Sequence, residues 1–432
     1  MNYQFDFINK FYIKIYSYLA VLNICRKKLS IYGESQSTIH YFCYMYLKSL
    51  QLINFKNYEE AEIEFSPGIN CFSGQNGSGK TNILDALHYL SMCKSYLNAI
   101  DRQNIRFDQQ FFVVQGNWVK NDQEINIHCA VKNGSKKVFK RNKNEYDKLA
   151  DHIGQFPTVM ISPYDRDLII EGSEFRRKWM DGIISQFNRK YLDDLQRYHK
   201  ILDQRNALLK NMYEHGLFDR ESIEVWNDQM VKVGNAIHEA RKLFLEEFIP
   251  VFQANYNFIG LEVEEVHLEY RSQLNTASFE DLLIQYQQKD AFTHHSNAGI
   301  HKDDLVFTIK GHPVKKFGSQ GQQKSFLIAL KLAQYEWLKR NLGVNPVLML
   351  DDIFDKLDNQ RVQKLMDLVS QQHFGQVLVT DTDPTRIRAV FKENGFESKN
   401  FLVNDGEIHV TDEQQFANVK TPDIAVKNAL KN

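Results

Sequence analysis

The sequence predicts an α/β fold, built on a parallel sheet and interrupted by a helical insertion. Three observations carry this. A glycine-rich loop joins a short apolar strand to an amphipathic helix. An apolar strand far downstream ends in two acids. Between them runs a long stretch with the three-four apolar spacing of helices.

The elements follow in order. From Tyr46 to Ser73 the chain reads as strands: Leu50 and Leu52, then Ile63 and Phe65, alternate with polar neighbours, and Pro67-Gly68 marks a turn. Ile69 to Phe72 runs straight into the glycine-rich loop. Beyond it, Ile83, Leu84, Leu87 and Leu90 share one helix face. Residues 111 to 142 read as further strands, with Asn133-Gly134 as a hairpin turn. In the middle, Leu192, Leu195, His199, Leu202, Asn206 and Leu209 recur at helical spacing. So do Ile223, Trp226, Met230, Val233, Ile237, Ala240 and Phe244, with Gly216 in the short gap. Two antiparallel helices along a heptad seam, or ordinary amphipathic helices of a globular domain, both satisfy that pattern. From about Ala291 strands return. Pro346 to Leu350 and Val377 to Thr380 are continuous apolar runs, as a buried parallel sheet requires.

The chemistry sits at the strand ends. Gly74-Gln75-Asn76-Gly77-Ser78-Gly79-Lys80-Thr81 matches G-x-x-x-x-G-K-[ST], and its strand-to-helix context is the one that motif needs. The glycines let backbone N–H groups wrap phosphate oxygens, and the helix start adds its positive end. Lys80 can reach the β- and γ-phosphates of a nucleotide, and the Thr81 hydroxyl can ligate Mg2+. Asp351 ends the Val347–Leu350 strand, beside the phosphates, and is the second expected magnesium holder. Asp352 follows and can orient or polarise an attacking water. A nucleotide with its β- and γ-phosphates and Mg2+ are therefore expected, and the resemblance below makes that nucleotide ATP.

Size and composition fit a soluble chain of two domains: 432 residues with a net charge of −1. Any basic surface must be gathered on one face. Cys25, Cys43, Cys71, Cys93 and Cys129 make no C-x-x-C pair, so the spacing argues against a disulfide scaffold and a zinc site, and a reducing cytoplasm fits. Residues 1–44 look unlike the rest and read as an extension outside the fold, with Met45 opening the first strand. Their longest uncharged apolar run, Ile15 to Cys25, is too short to span a bilayer, and no small-residue cleavage site follows. A membrane-surface helix is the lesser reading there.

Ser319-Gln320-Gly321-Gln322 precedes a helix carrying Phe326, Leu327, Leu330 and Trp337, and Ser319 with Gln322 has the shape of a capping box. Taken with the two earlier motifs, the order resembles the ABC-type ATPases of chromosome maintenance, and within them the RecF family. The resemblance runs from Met45 to near the C-terminus. Ser319 to Gln322 looks like the family's signature, Asp351-Asp352 like its double-acid variant, and Lys356-Leu357-Asp358 like the loop that follows. Ile161-Ser162-Pro163-Tyr164-Asp165 through Arg176-Arg177 resembles one family block. Gly299 to Asp304 resembles another, with Ile300 and Lys302 where the family often has Pro and Arg. Thr380-Asp381-Thr382 occupies the switch position, where many ABC proteins have His.

That resemblance implies an ABC-type ATPase head, a P-loop NTPase, with an inserted α-helical arm domain. The head comprises residues 45–175 and 295–432, and the arm 176–294. It implies an ATP-dependent homodimer in which Ser319, Gln320 and Gly321 of one copy face the nucleotide held by Lys80 of the other. Slow ATP hydrolysis would act as a switch. It also implies binding to single-strand and gapped double-strand DNA in repair, replication and the SOS response. The implied partners are RecR and RecO, and the outcome is loading of the RecA recombinase. Two basic tracts could grip phosphates. Lys132, Lys136, Lys137, Lys140, Arg141 and Lys143 form the first. Arg176, Arg177, Lys178, Arg189, Lys190, Arg197, Lys200 and Arg205 form the second. Two other classes fit the sequence less well. A transporter ATPase needs a membrane partner and a signature nearer the phosphate loop. An architectural SMC-like protein needs arms longer than about 120 residues can build.

Overall fold

The computed structural model describes residues 44–216, 219–260, 264–353, 359–370 and 374–411. Strands β1 (Met45–Phe55), β2 (Tyr58–Glu64) and β3 (Ile69–Ser73) open the fold, and helix α1 (Lys80–Met92) follows the glycine-rich loop. Next come β4 (Phe111–Lys120), β5 (Gln123–Lys132), β6 (Val138–Arg141), β7 (Asn144–Glu145) and β8 (Thr158–Ile161). A helical stretch comprises α2 (Ser173–Phe187), α3 (Arg189–His215) and α4 (Arg220–Ile259). Beyond it lie β9 (Val266–Arg271), α5 (Phe279–Thr293), β10 (Asp304–Ile309), β11 (His312–Pro313), α6 (Gln320–Leu342) and β12 (Val347–Leu350). The last described elements are α7 (Asn359–Ser370), β13 (Val377–Asp381), α8 (Pro384–Glu393), β14 (Ser398–Asn404) and β15 (Glu407–Val410).

The described strands form three sheets. An antiparallel sheet runs β2-β1-β4-β5-β6-β7, and Asn133-Gly134 lies in its β5–β6 turn, as the sequence predicts. The central sheet runs β15-β14-β3-β13-β12-β8. It is parallel except for the terminal β14–β15 hairpin. Its strands read as unbroken apolar runs because both faces are covered. Met160, Phe72, Leu378, Val347 and Met349 point to one side, into a core shared with the antiparallel sheet and α1. Their neighbours Val159, Ile161, Cys71, Val377, Val379, Leu348 and Leu350 point to the other, into a core shared with α2, α4 and α6. Side chains alternate across a strand, so one residue step changes the core they enter. All five strands that run parallel deliver their C-terminal ends to one edge, and the site lies there.

The third sheet, β11-β10-β9, is antiparallel and joins the end of the helical stretch to the chain beyond it. Helices α3 and α4 pack on one another, with Gly216 capping α3. The expected seam on α4 buries as read at Ile223, Met230, Val233, Ile237 and Phe244. On α3 the buried stripe is Tyr191, Tyr198, Ile201, Arg205, Leu209 and Met212, while Leu192, Leu195 and Leu202 flank it and His199 is exposed. An apolar count misses that stripe because two members have polar ends with distant partners. The Tyr198 hydroxyl lies 2.8 Å from His301 Nδ1, and Arg205 Nη1 lies 2.8 Å from Asp290 Oδ2. The second half of α4 packs on α6 within the same apolar core as the central sheet.

Candidate nucleotide site

The phosphate loop is held open from behind. Asn57 Nδ2 donates to Ser78 O at 3.0 Å, the Tyr58 hydroxyl to Gly79 O at 3.0 Å, and Gly406 N to Ser78 O at 3.2 Å. These bonds engage the loop's carbonyls on the far side. Glycine is required at two points for different reasons. At Gly79, φ is 115° and a Cβ would stand 2.5 Å from the Asn57 side chain. At Gly74 a Cβ would stand 2.2 Å from Val403 O. Lys80 is buried and its Nζ donates to Gly74 O at 2.8 Å and Gln75 O at 2.9 Å. An ammonium has three donors, so one remains for a phosphate oxygen. Burial pushes its pKa down, while the charges of Asp352, Asp351 and Asp381 pull it up. The Ser78 hydroxyl is buried with no hydrogen-bond partner, which suits a loop built to receive an anion.

Asp351 is buried at the end of β12 and its two oxygens are separately anchored. Oδ1 accepts from Thr81 Oγ1 and from Thr380 Oγ1, each at 2.9 Å, and Oδ2 accepts from Ser162 Oγ at 3.1 Å. The Thr81–Asp351 contact brings together the two expected magnesium holders. A hydroxyl and a carboxylate are the hard oxygen donors Mg2+ takes, with phosphate oxygens and water completing the shell. Asp352 follows with φ of 46°, an uncommon conformation for a residue with a side chain. Its N–H donates to Thr380 Oγ1 at 2.9 Å. Strain of that kind gathers at functional sites.

Comparison with known proteins meets this geometry. The RecF/RecN/SMC N terminal domain family matches residues 46–394. The DNA replication and repair protein RecF of Flavobacterium johnsoniae is 51% identical over 348 residues, covering 81% of this chain and 97% of that protein. The chain belongs to the RecF family. The RecF of Phocaeicola vulgatus is 48% identical over 366 residues, covering 84% of this chain and 98% of that protein. A solved structure of the recombination mediator protein RecF with ATP, in the RecFOR pathway, matches with a TM-score of 0.78 at 27% identity. It covers 87% of this chain and all of that one. A Smc head domain from Pyrococcus furiosus, at 16% identity and a TM-score of 0.50, shares the fold alone. The fold is thus the α/β ABC-type ATPase head.

Of the expected RecF-type site, Gly74 to Thr81, Asp351 and Asp352 stand together, and Ser319 stands apart. Ser319 caps α6, and the capping box is real: its Oγ accepts from Gln322 N at 3.2 Å and its N–H donates to Gln322 Oε1 at 2.7 Å. It lines a hollow of about 170 Å³ with Tyr256, Glu264, Gln322 and Arg361. Gln320 lines a different cleft of about 300 Å³, shared with Asp351 and Asp352. Among the described residues lining these two hollows, none belongs to the phosphate loop. Gly321 is half-buried beside the Arg361 guanidinium. At the switch position Asp381 is buried and paired with Arg386 at 2.6 Å, so Thr380 is the member that reaches the site. The Lys356-Leu357-Asp358 loop lies outside the described residues, as does the extension up to residue 43. Asn57, Tyr58, Ser162 and Gly406 were not foreseen as site residues, and Thr380 only as part of the switch position. The five reach the site from four separate segments, Asn57 and Tyr58 together.

The second basic tract is available to DNA only in part: Arg197 and Lys200 are exposed, while others of its members are committed inside the fold. Arg176 makes a forked contact with Asp304 at 2.7 and 3.1 Å and also donates to the carbonyls of Leu168 and Glu171. Arg177 donates to Asp303 O and Ser173 Oγ. Arg205 is fully buried against Asp290. Lys178, Arg189 and Lys190 each face an acid. In the first tract Lys137 is committed to Asp101 at 2.8 Å, while Lys132, Lys136, Arg141 and Lys143 are exposed. The Arg176→Ala/Arg177→Ala double variant is therefore expected to lose stability, by about 1–3 kcal/mol for each guanidinium removed from its hydrogen-bond partners. The salt dependence of its DNA binding should stay unchanged. Melting curves and binding across a salt series check both. A lower salt slope at full stability would restore these arginines to a DNA interface.

No described helix is long and apolar enough to cross a membrane. Cys71, Cys93 and Cys129 are buried free thiols.

Proposed function

We propose that this chain is an ATP-dependent DNA-binding protein of recombinational repair and replication, closing as a homodimer on ATP at gaps or single-strand/double-strand junctions. The observation that carries the reading is the Thr81–Asp351 contact beside Lys80, on a chain half-identical to a RecF named for DNA replication and repair. Residues 45–175 and 295–432 are taken as the ATPase parts, 176–294 as the helical arm, and 1–44 as an extension outside the fold. Lys80 pairs the β- and γ-phosphates, and Thr81 with Asp351 holds Mg2+. Magnesium, when bound, offsets charge on the phosphate oxygens. Asp352 orients the attacking water and accepts its proton. Ser319, Gln320 and Gly321 serve the nucleotide held by the second copy, with the α6 dipole assisting. RecR and RecO, the RecFOR context of the solved relatives, are the partners this reading carries over, in the cytoplasm. The exposed lysines near Asn133-Gly134 are the favoured DNA-phosphate contacts.

Sedimentation of the full chain with Mg-ATP, with and without gapped duplex DNA, tests this. The expected result is an ATP-dependent dimer retained on gapped DNA and released by salt. A chain that stays monomeric with ATP ends the reading. Asp352→Asn is expected to keep ATP binding, slow single-turnover hydrolysis by about 10²–10⁴-fold, and prolong the dimer. Unchanged turnover would remove Asp352 from catalysis.

A further inference from the structure

Behind Asp351 lies a buried polar chain that nucleotide binding, as described, does not use. It begins with Ser162, whose hydroxyl donates to Asp351 Oδ2. Ser162 also caps the short turn Pro163–Arg166, where its backbone N–H donates to Asp165 Oδ2 at 2.8 Å. The other oxygen of Asp165 lies 2.6 Å from Lys331 Nζ and accepts from the Tyr96 hydroxyl. Lys331 Nζ stands 3.2 Å from that hydroxyl and over the Tyr96 ring. The Lys331 and Asp165 side chains are 4% and 2% exposed.

The ends of this chain lie on different working parts. Lys331 sits about three turns into α6, the helix that Ser319 opens. Tyr96 follows α1, the helix that Lys80 opens, and its backbone N–H donates to Asp85 Oδ1 on that helix at 2.6 Å. Ser162 ends at the expected magnesium carboxylate. A buried ion pair is weak evidence of stabilisation, since apolar side chains of similar volume pack at least as well. What the pair does is fix relative position. If α6 shifts, separating Lys331 from Asp165 would leave two buried charges unpaired, so the turn carrying Ser162 is drawn along instead. Thr81 and Thr380 hold only Oδ1 of Asp351, so Ser162 is what fixes the rotation of the carboxylate. Magnesium tolerates little departure from octahedral geometry, so that rotation matters.

We infer that Ser162 is a positioning residue for the magnesium carboxylate, and that Lys331, through Asp165, sets where Ser162 stands, so that the position of the signature helix is felt at Asp351. The inference rests on the nucleotide reading above. Coupling of this kind is reciprocal: binding at Asp351 biases the placement of α6 as much as the reverse.

The test is the Mg2+ concentration needed for tight binding of a fluorescent ATP analogue to the full chain. Ser162→Ala should raise that concentration by about tenfold, the worth of one hydrogen bond to a charged group. Ser162→Thr should restore it. Affinity for the analogue without Mg2+ should be unchanged in both. Melting without nucleotide should fall slightly in Ser162→Ala through the lost turn cap and return in Ser162→Thr, so the effect confined to Mg2+ is what a merely structural role would not give. The double variant Asp165→Asn/Lys331→Met removes both charges together and should raise the Mg2+ requirement as Ser162→Ala does. Tyr96→Phe keeps both charges and should raise it less. An unaltered requirement in Ser162→Ala overturns the positioning role. An unaltered requirement in Tyr96→Phe and in the double variant overturns the link to α6. Thr81→Ala is the control for the site itself. If it leaves the Mg2+ requirement unchanged, the nucleotide reading fails and this inference falls with it.

Discussion

Lys80→Ala is expected to abolish tight ATP binding, weakening it by about 10²–10³-fold. The ammonium stands inside the loop, where it already donates to Gly74 O and Gln75 O. Its replacement removes the one charge-assisted bond left to a phosphate oxygen and the positive charge beside the β- and γ-phosphates, worth about 3–4 kcal/mol together. A second effect has the same sign. Asp351, Asp352 and Asp381 act on Lys80 electrostatically, and without it their negative field meets an anionic ligand unopposed. Lys80→Arg should recover little, because a planar fork cannot sit where a compact ammonium is held by two carbonyls. Calorimetric titration of each variant with Mg-ATP gives the affinities, and a nucleotide-free melting curve shows whether the fold is intact. Alanine at position 80 with undiminished affinity would mean that the loop holds the phosphates by backbone alone.

The contrast between what could and could not be read from the chain follows sequence distance. The phosphate loop is eight consecutive residues whose strand and helix neighbours are adjacent, so motif and context are legible together. The parallel strands are legible because burial on both faces writes an unbroken apolar run, as in Val347–Leu350. The magnesium acid is legible because it ends such a run. The same logic fails for Ser162 and Thr380, which are ordinary hydroxyl residues until the sheet places β8 and β13 on either side of β12. It fails again for Arg176 and Arg205, whose acids lie 128 and 85 residues away. A cation without a local partner looks solvent-bound in one dimension. The α3 stripe was misplaced for the same reason: Tyr198 and Arg205 count as polar until His301 and Asp290 close on them. Charge clusters in this chain therefore overstate the accessible basic surface, while Lys132, Lys136, Arg141 and Lys143 around the hairpin turn are exposed.

Ser319→Asp is expected to abolish ATP-induced dimerisation while leaving ATP binding to the single copy and the melting temperature near those of the parent chain. The substitution separates two roles of one side chain. As a helix cap, Ser319 accepts from Gln322 N, and aspartate is as good an N-cap as serine, so the first turn of α6 should lose little. The reciprocal bond from Ser319 N to Gln322 Oε1 involves only the backbone at 319 and survives. In the sandwich, however, the serine hydroxyl is meant to donate to the γ-phosphate of the nucleotide held by the second copy. A carboxylate there cannot donate and repels that phosphate. At about 4 Å and an effective dielectric near 20, two like unit charges oppose each other by about 4 kcal/mol, roughly a thousandfold in association per site. A closed homodimer has two such sites, so the penalty is paid twice. Ser319→Ala sets the opposite control: it should cost about 1 kcal/mol of stability through the lost cap and weaken association only modestly. Sedimentation with Mg-ATP, calorimetric ATP affinity and melting temperature, measured on both variants, distinguish the roles. If Ser319→Asp dimerises normally with ATP, the hydroxyl is a cap alone and the partner's nucleotide is held by other groups.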